Sequence, residues 1–108
     1  MKPSGAVVTG ERKPLGYLQY TVTSTAVYLN TLAKWPKTPT GIGIPVGYAV
    51  IQQNVSAGIV RWRDDQVAPT TSVGMLLGVG ELDYAGDAGQ LQVIISAGSP
   101  VLDIALYA

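Results

Sequence analysis

The chain has 108 residues, the size of one domain with room for a hydrophobic core that needs no covalent staples. It contains no cysteine and no histidine, which excludes disulfides, thiolate metal sites and histidine-based nucleophile activation, and removes the commonest general base and metal ligand. Only 13% of its residues are charged and they sum to zero, against about a quarter in an average soluble domain, so its surface is either rich in Thr, Ser, Gln and Gly or covered by other subunits.

The opening Met1-Lys2-Pro3-Ser4-Gly5 lacks the apolar stretch of a secretory signal. The longest nearly apolar run, Val73 to Gly80, is far short of the ~20 residues of a membrane span. Synthesis in a cytoplasm and no membrane partner are therefore expected. Residues 1–14 are broken by Pro3, Gly5, Gly10 and Pro14 and read as an extended N-terminal arm that is ordered only when docked. Its Lys2, Arg12 and Lys13 are candidate partner contacts, and residues 15–108 form the body. From Leu15 the period is two: Leu18, Tyr20 and Val22 share one face, Tyr17, Gln19, Thr21 and Thr23 the other, which predicts a half-buried strand. Thr25 to Leu32 fits a second strand or a short helical turn. Asn30 to Pro45 carries Pro36, Pro39, Pro45, Gly41 and Gly43 and reads as a long loop, a feature often tied to function. Trp35 within it either folds over the core edge or stands exposed as a contact for a partner.

Val46 to Asn54 alternates again, Val46, Tyr48 and Val50 against Gly47, Ala49 and Ile51. Ile59 to Arg63 follows, with Val60 and Trp62 inward and Arg61 and Arg63 outward. Val55-Ser56-Ala57-Gly58 between them predicts a hairpin. Asp64-Asp65-Gln66 turns the chain. Pro69 to Gly80 is ambiguous, although Val73, Met75 and Leu77 would line one face of a strand. Glu81 to Tyr84 reads as a short strand closed by Gly86-Asp87-Ala88-Gly89. Leu91, Val93 and Ile95 alternate with Gln92, Ile94 and Ser96, and after Gly98-Ser99-Pro100 the last strand turns Leu102, Ile104 and Leu106 to the core. Seven or eight short strands and no amphipathic helix predict an all-β, single-domain β-sandwich or barrel. Charge is segregated along the chain. Residues 1–37 hold Lys2, Arg12, Lys13, Lys34 and Lys37 against Glu11, a net +4. Residues 64–108 hold Asp64, Asp65, Glu81, Asp83, Asp87 and Asp103 and no base, a net −6. This split predicts a basic arm or a head-to-tail contact between subunits.

No catalytic constellation is legible, so the chain is read as a non-enzyme without cofactor or metal. Asp64 and Asp65 are adjacent and on an extended chain point apart, which does not suit paired-carboxylate hydrolysis. Asp83 and Asp87 with either of them could supply oxygen ligands to calcium, but acidic turn residues are common and the EF-hand spacing is absent. Phosphate-binding glycine loops are missing, and Gly41-Ile42-Gly43 is too weak a signal. Arg61-Trp62-Arg63 is the one candidate for nucleic acid, yet alternation puts the arginines and the tryptophan on opposite faces, so no nucleic-acid partner is expected.

Arg61-Trp62-Arg63-Asp64-Asp65, Ala68-Pro69-Thr70, Ser72-Val73-Gly74-Met75, Leu82-Asp83-Tyr84-Ala85-Gly86-Asp87 and the closing strand ending in Tyr107-Ala108 follow one another in an order that resembles small structural proteins of tailed bacteriophages. The resemblance covers about residues 46–108. It implies a compact, jelly-roll-like β-sandwich in a phage head or tail accessory protein. The function expected from it is a capsid decoration or cement protein that binds and stabilises the assembled head shell, acting in the virion. Its partners would be the major capsid protein or other virion proteins and further copies of itself, a trimer ahead of a dimer. The contacts would lie at Lys2, Arg12, Lys13 and Trp35. The alternative is a tail or fibre module that binds a host glycan or another virion protein, with Trp35 or Tyr28 as an aromatic platform.

Overall fold

A computed structural model describes residues 13–108. It contains eight strands: β1 (Pro14–Thr21), β2 (Val27–Tyr28), β3 (Tyr48–Gln53), β4 (Ile59–Arg63), β5 (Met75–Leu77), β6 (Gly80–Ala85), β7 (Gln92–Ala97) and β8 (Val101–Tyr107). One sheet has the order β1-β8-β3-β6 and the other β2-β7-β4-β5. All pairs are antiparallel. The pairs β1–β8, β2–β7, β3–β6 and β4–β5 are those of one long hairpin rolled into two sheets, the jelly-roll order. The all-β sandwich read from the strand periods is thus the fold of the chain.

Period-two alternation builds the core as rows that cross each sheet. In the first sheet Leu18, Ile104, Ile51 and Leu82 form one inward row, and Gly16, Leu106, Ala49 and Tyr84 the next. In the second, Val27, Val93, Trp62 and Met75 share a row, and Ile95, Val60 and Leu77 share another. Leu18, Ile51, Val60, Val93, Leu102, Ile104 and Leu106 are buried between the sheets. Thr25 to Leu32 proves to hold both expected forms, the two-residue β2 and then a single 3-10 turn, Leu29–Thr31.

The expected hairpin between β3 and β4 does not form; the two strands lie in different sheets. Gln53 explains the crossing. At the end of β3 its side chain is fully buried, donates to the Gly58 carbonyl at 2.7 Å and accepts from the Val55 amide at 2.6 Å. The turn therefore folds around a core side chain and hands the chain to the opposite sheet. Gly98 locks the same end: its φ is +65°, and a Cβ there would stand 2.4 Å from the Ala57 carbonyl oxygen.

At the other end, the Ala108 amide donates to the Lys13 carbonyl, Gly47 to Tyr107, Gly86 to Gly47 and Ala88 to Val46. Pro14 already pairs with Tyr107 in β1. Lys13 and Pro14, expected in the arm, are thus tied to the body. The remainder of that arm, with Lys2 and Arg12, lies outside the described residues.

Candidate interaction surface

β4 alternates as its sequence requires. Trp62 turns inward and meets Tyr84 of the facing sheet edge-on, with ring centroids 6.2 Å apart. Arg61 turns outward, and its guanidinium reaches over the segment that follows β4. It donates to the Gly74 carbonyl at 2.9 Å and to the Thr71 carbonyl at 3.3 Å. Ser96 on β7 donates to the same Thr71 carbonyl at 2.8 Å. The segment 64–74 is thereby laid over the outer face of the second sheet, and Ile94, on the outward row with Arg61 and Leu76, is buried.

The loop is also tied within itself. Arg63 pairs with Asp65 through two hydrogen bonds, one of 2.9 Å from Nε to Oδ1. The Tyr84 hydroxyl donates to Asp64 Oδ2 at 2.9 Å. Thr70 Oγ1 accepts from the amides of Ser72 and Val73 and closes a tight turn. Gly74 lies at φ +140°, and a Cβ there would press on Pro69, Arg61 and the Trp62 carbonyl at 3.1–3.3 Å. The hydrogen bonds to Arg63 hold the Asp65 carboxyl below its ordinary value. Burial, then the bond to Asp64, pushes the Tyr84 hydroxyl up to about 12.

What this framework presents is apolar. Val67, Val73, Met75, Leu76 and Val79 are each at least half exposed, five of the seven exposed large hydrophobics among the described residues. No charged residue lies between Gln66 and Gly80. Met75 belongs to an inward row yet is 60% exposed, and Leu76 on the outward face is equally so. β5 pairs with β4 on one side only. Beside it a shallow groove of about 330 Å³ is lined by Arg63, Asp64, Asp65, Val73, Gly74 and Met75. Of Val73, Met75 and Leu77, expected on one strand face, Leu77 packs on the core, Val73 precedes β5 and Met75 is exposed; the exposure of Val73, Met75 and Leu76 is signalled in the sequence only by the missing charges.

Trp35 is not an exposed contact. It is 4% exposed and belongs to the core. The long loop folds back on itself, with Lys37 bridging to Gly43, Thr38 N bonded to the Ile42 carbonyl and Ile44 N to that of Pro36. Its return limb packs Gly43 against the indole. Tyr28 is half-buried on β2, and Lys13 is exposed at the end of the body. The acidic residues are dispersed: Asp64 serves Tyr84, Asp65 serves Arg63, and Asp87 caps the 3-10 turn Ala88–Gln90 by accepting from Gly89 N. Among the described residues no three acidic side chains come together as a metal site. No helix there is long and apolar enough to cross a membrane. On the outer face of the first sheet, Tyr17, Gln19 and Asn54 all donate to Asp103, a polar surface satisfied within the chain. Comparison with family models, curated proteins and solved structures found no match for this chain.

Proposed function

We propose that this chain is a structural protein of a tailed-bacteriophage virion, a capsid decoration protein that binds the assembled head shell and stabilises it. The observation that carries this reading is the rigid, uncharged apolar lip beside β5. Five of the seven exposed large hydrophobics among the described residues fall in this one uncharged stretch, and such clustering marks an interaction surface. The lip, Gln66 to Gly80, contains Ala68 to Thr70 and Ser72 to Met75 and is framed by Arg61 to Asp65, segments that resemble phage structural proteins. The reading is non-enzymatic. Binding only the assembled shell adds its free energy to that state by mass action. Residues 1–12, with Lys2 and Arg12, together with the exposed Lys13 at the end of the body, supply the attachment, and several copies held together bind through effective concentration. A tail module that binds a host glycan would use Trp35 or Tyr28 as a sugar platform; one is buried and the other half-buried, which favours the shell reading over a glycan-binding one.

The test is co-sedimentation of the purified chain with heads that lack it. Pelleting that saturates at a fixed ratio, with a higher rupture temperature of the heads, is expected. A chain that stays in the supernatant at every concentration overturns the reading.

A further inference from the structure

We propose that the open edge of β5 is a contact between two copies of this chain, paired edge to edge about a two-fold axis, with Val73, Met75, Leu76 and Val79 of each copy covering those of the other. This draws on the same exposed stretch as the shell reading but names a different occupant for it, and the experiment below separates the two.

The described sheets end in four edges, and their chemistry differs. β2 is two residues long. β6 carries Glu81 and Asp83, both exposed, which would repel themselves across a two-fold axis. β1 is long and uncharged, but its exposed large side chain is Tyr17, whose hydroxyl is held by Asp103. β5 alone combines a free edge with apolar side chains exposed on both of its faces. Edge strands are ordinarily guarded by charge, proline or cover. Between Gln66 and Gly80 there is no charge, and Pro69 lies in the loop outside β5.

The same absence of charge selects the occupant. A two-fold contact sets each residue near its own copy, so it tolerates apolar residues and penalises charged ones. No cation lies in the segment to draw an acidic surface, and no anion to draw a basic one. At the rim, Arg63 and Asp65 neutralise each other within one chain. The antiparallel pairing that joins two identical strands would continue the sheet β2-β7-β4-β5 into its partner. The ordering cost is low, because Arg61, Thr70 and Ser96 already fix the loop that frames the edge.

Light scattering on the purified chain should give 22.6 kDa at micromolar concentration, twice the 11.3 kDa of one chain. Leu76→Lys should give 11.3 kDa with an unchanged strand spectrum. Ile42→Lys, at a comparably exposed residue in the loop before β3, should leave the dimer intact. Leu76 is the central residue of β5, and directly opposed residues of antiparallel strands have Cα atoms about 4.5–5.5 Å apart, within disulfide reach. Leu76→Cys, the sole cysteine of its chain, should therefore cross-link into a covalent dimer on mild oxidation, a readout that remains if the lysine variant fails to fold. A wild-type monomer, a trimer, an oligomer that survives Leu76→Lys, or a Leu76→Cys chain that does not cross-link overturns the proposal. A monomer that still pellets with heads would sink the edge pair and leave shell binding standing; a dimer that does not pellet would do the reverse.

Discussion

Arg61 shows how one side chain sets a surface. Its two bonds to backbone carbonyls hold the loop over β4 and β7. Arg61→Ala removes both and should lower stability by about 1–2 kcal/mol, read as a shift of the denaturant midpoint at constant slope. An unchanged midpoint would mean that the loop is held without it. Gly98→Ala should cost about 2–3 kcal/mol, since its Cβ would meet the Ala57 oxygen at 2.4 Å on a backbone of φ +65°. Two carboxylates give an acid limb. Asp65, bonded to Arg63, and Asp103, bonded to Tyr17 and then Gln19, both titrate below their ordinary value in the fold. A carboxyl whose folded pKa is depressed contributes stability that is in place above its unfolded value, about 3.9, and is lost as pH falls toward the folded one. Acid unfolding curves should therefore flatten below that value in Asp103→Asn. Tyr84 works in the opposite sense. Its hydroxyl, raised to about 12, favours the fold below the ordinary tyrosine value, and that contribution is lost as pH climbs through the folded one. Phenolate absorbance should show one tyrosine titrating last, and Tyr84→Phe should remove it. At this scale the inward turn of Trp62 and outward turn of Arg61 were legible, because alternation fixes them. The burial of Trp35 was not, because it depends on how a loop without period closes, through contacts between residues as far apart as Pro36 and Ile44.

Among the elements, the strand faces were legible and the strand partners were not. Leu102, Ile104 and Leu106 face the core as their spacing demands. The turn Val55 to Gly58 looked like a hairpin because small turn residues between two alternating runs fit either a hairpin or a crossing between sheets. The deciding residue, Gln53, reads in sequence as an ordinary polar position, yet it sits on an inward row beside Leu102. Gln53→Leu should leave the Val55 amide and the Gly58 carbonyl without partners and cost about 1–3 kcal/mol. A neutral substitution would show that the crossing is set by the sheets alone. β5 was the least legible strand: three residues long and exposed at two of them, it offers little alternation to read.

For the whole molecule, the count and spacing of strands pointed to a sandwich, while the jelly-roll order β1-β8-β3-β6 over β2-β7-β4-β5 is a matter of long-range pairing that no local pattern encodes. Low charge density and the split of charge along the chain were the global signals of assembly, and the first has a local counterpart in the uncharged lip from Gln66 to Gly80. Lys13 is bonded to Ala108, so the segment before it joins the body at the end where the last strand finishes. Deleting residues 1–12 should leave the fold and the oligomer intact and abolish pelleting with heads; equal pelleting would move the attachment onto the body. The central claim is tested most directly by counting copies of this chain in purified particles of a phage that encodes it, with heads and tails separated. A decoration protein should be present in hundreds of copies and stay with the heads. A handful of copies confined to the tail, or none, would contradict it.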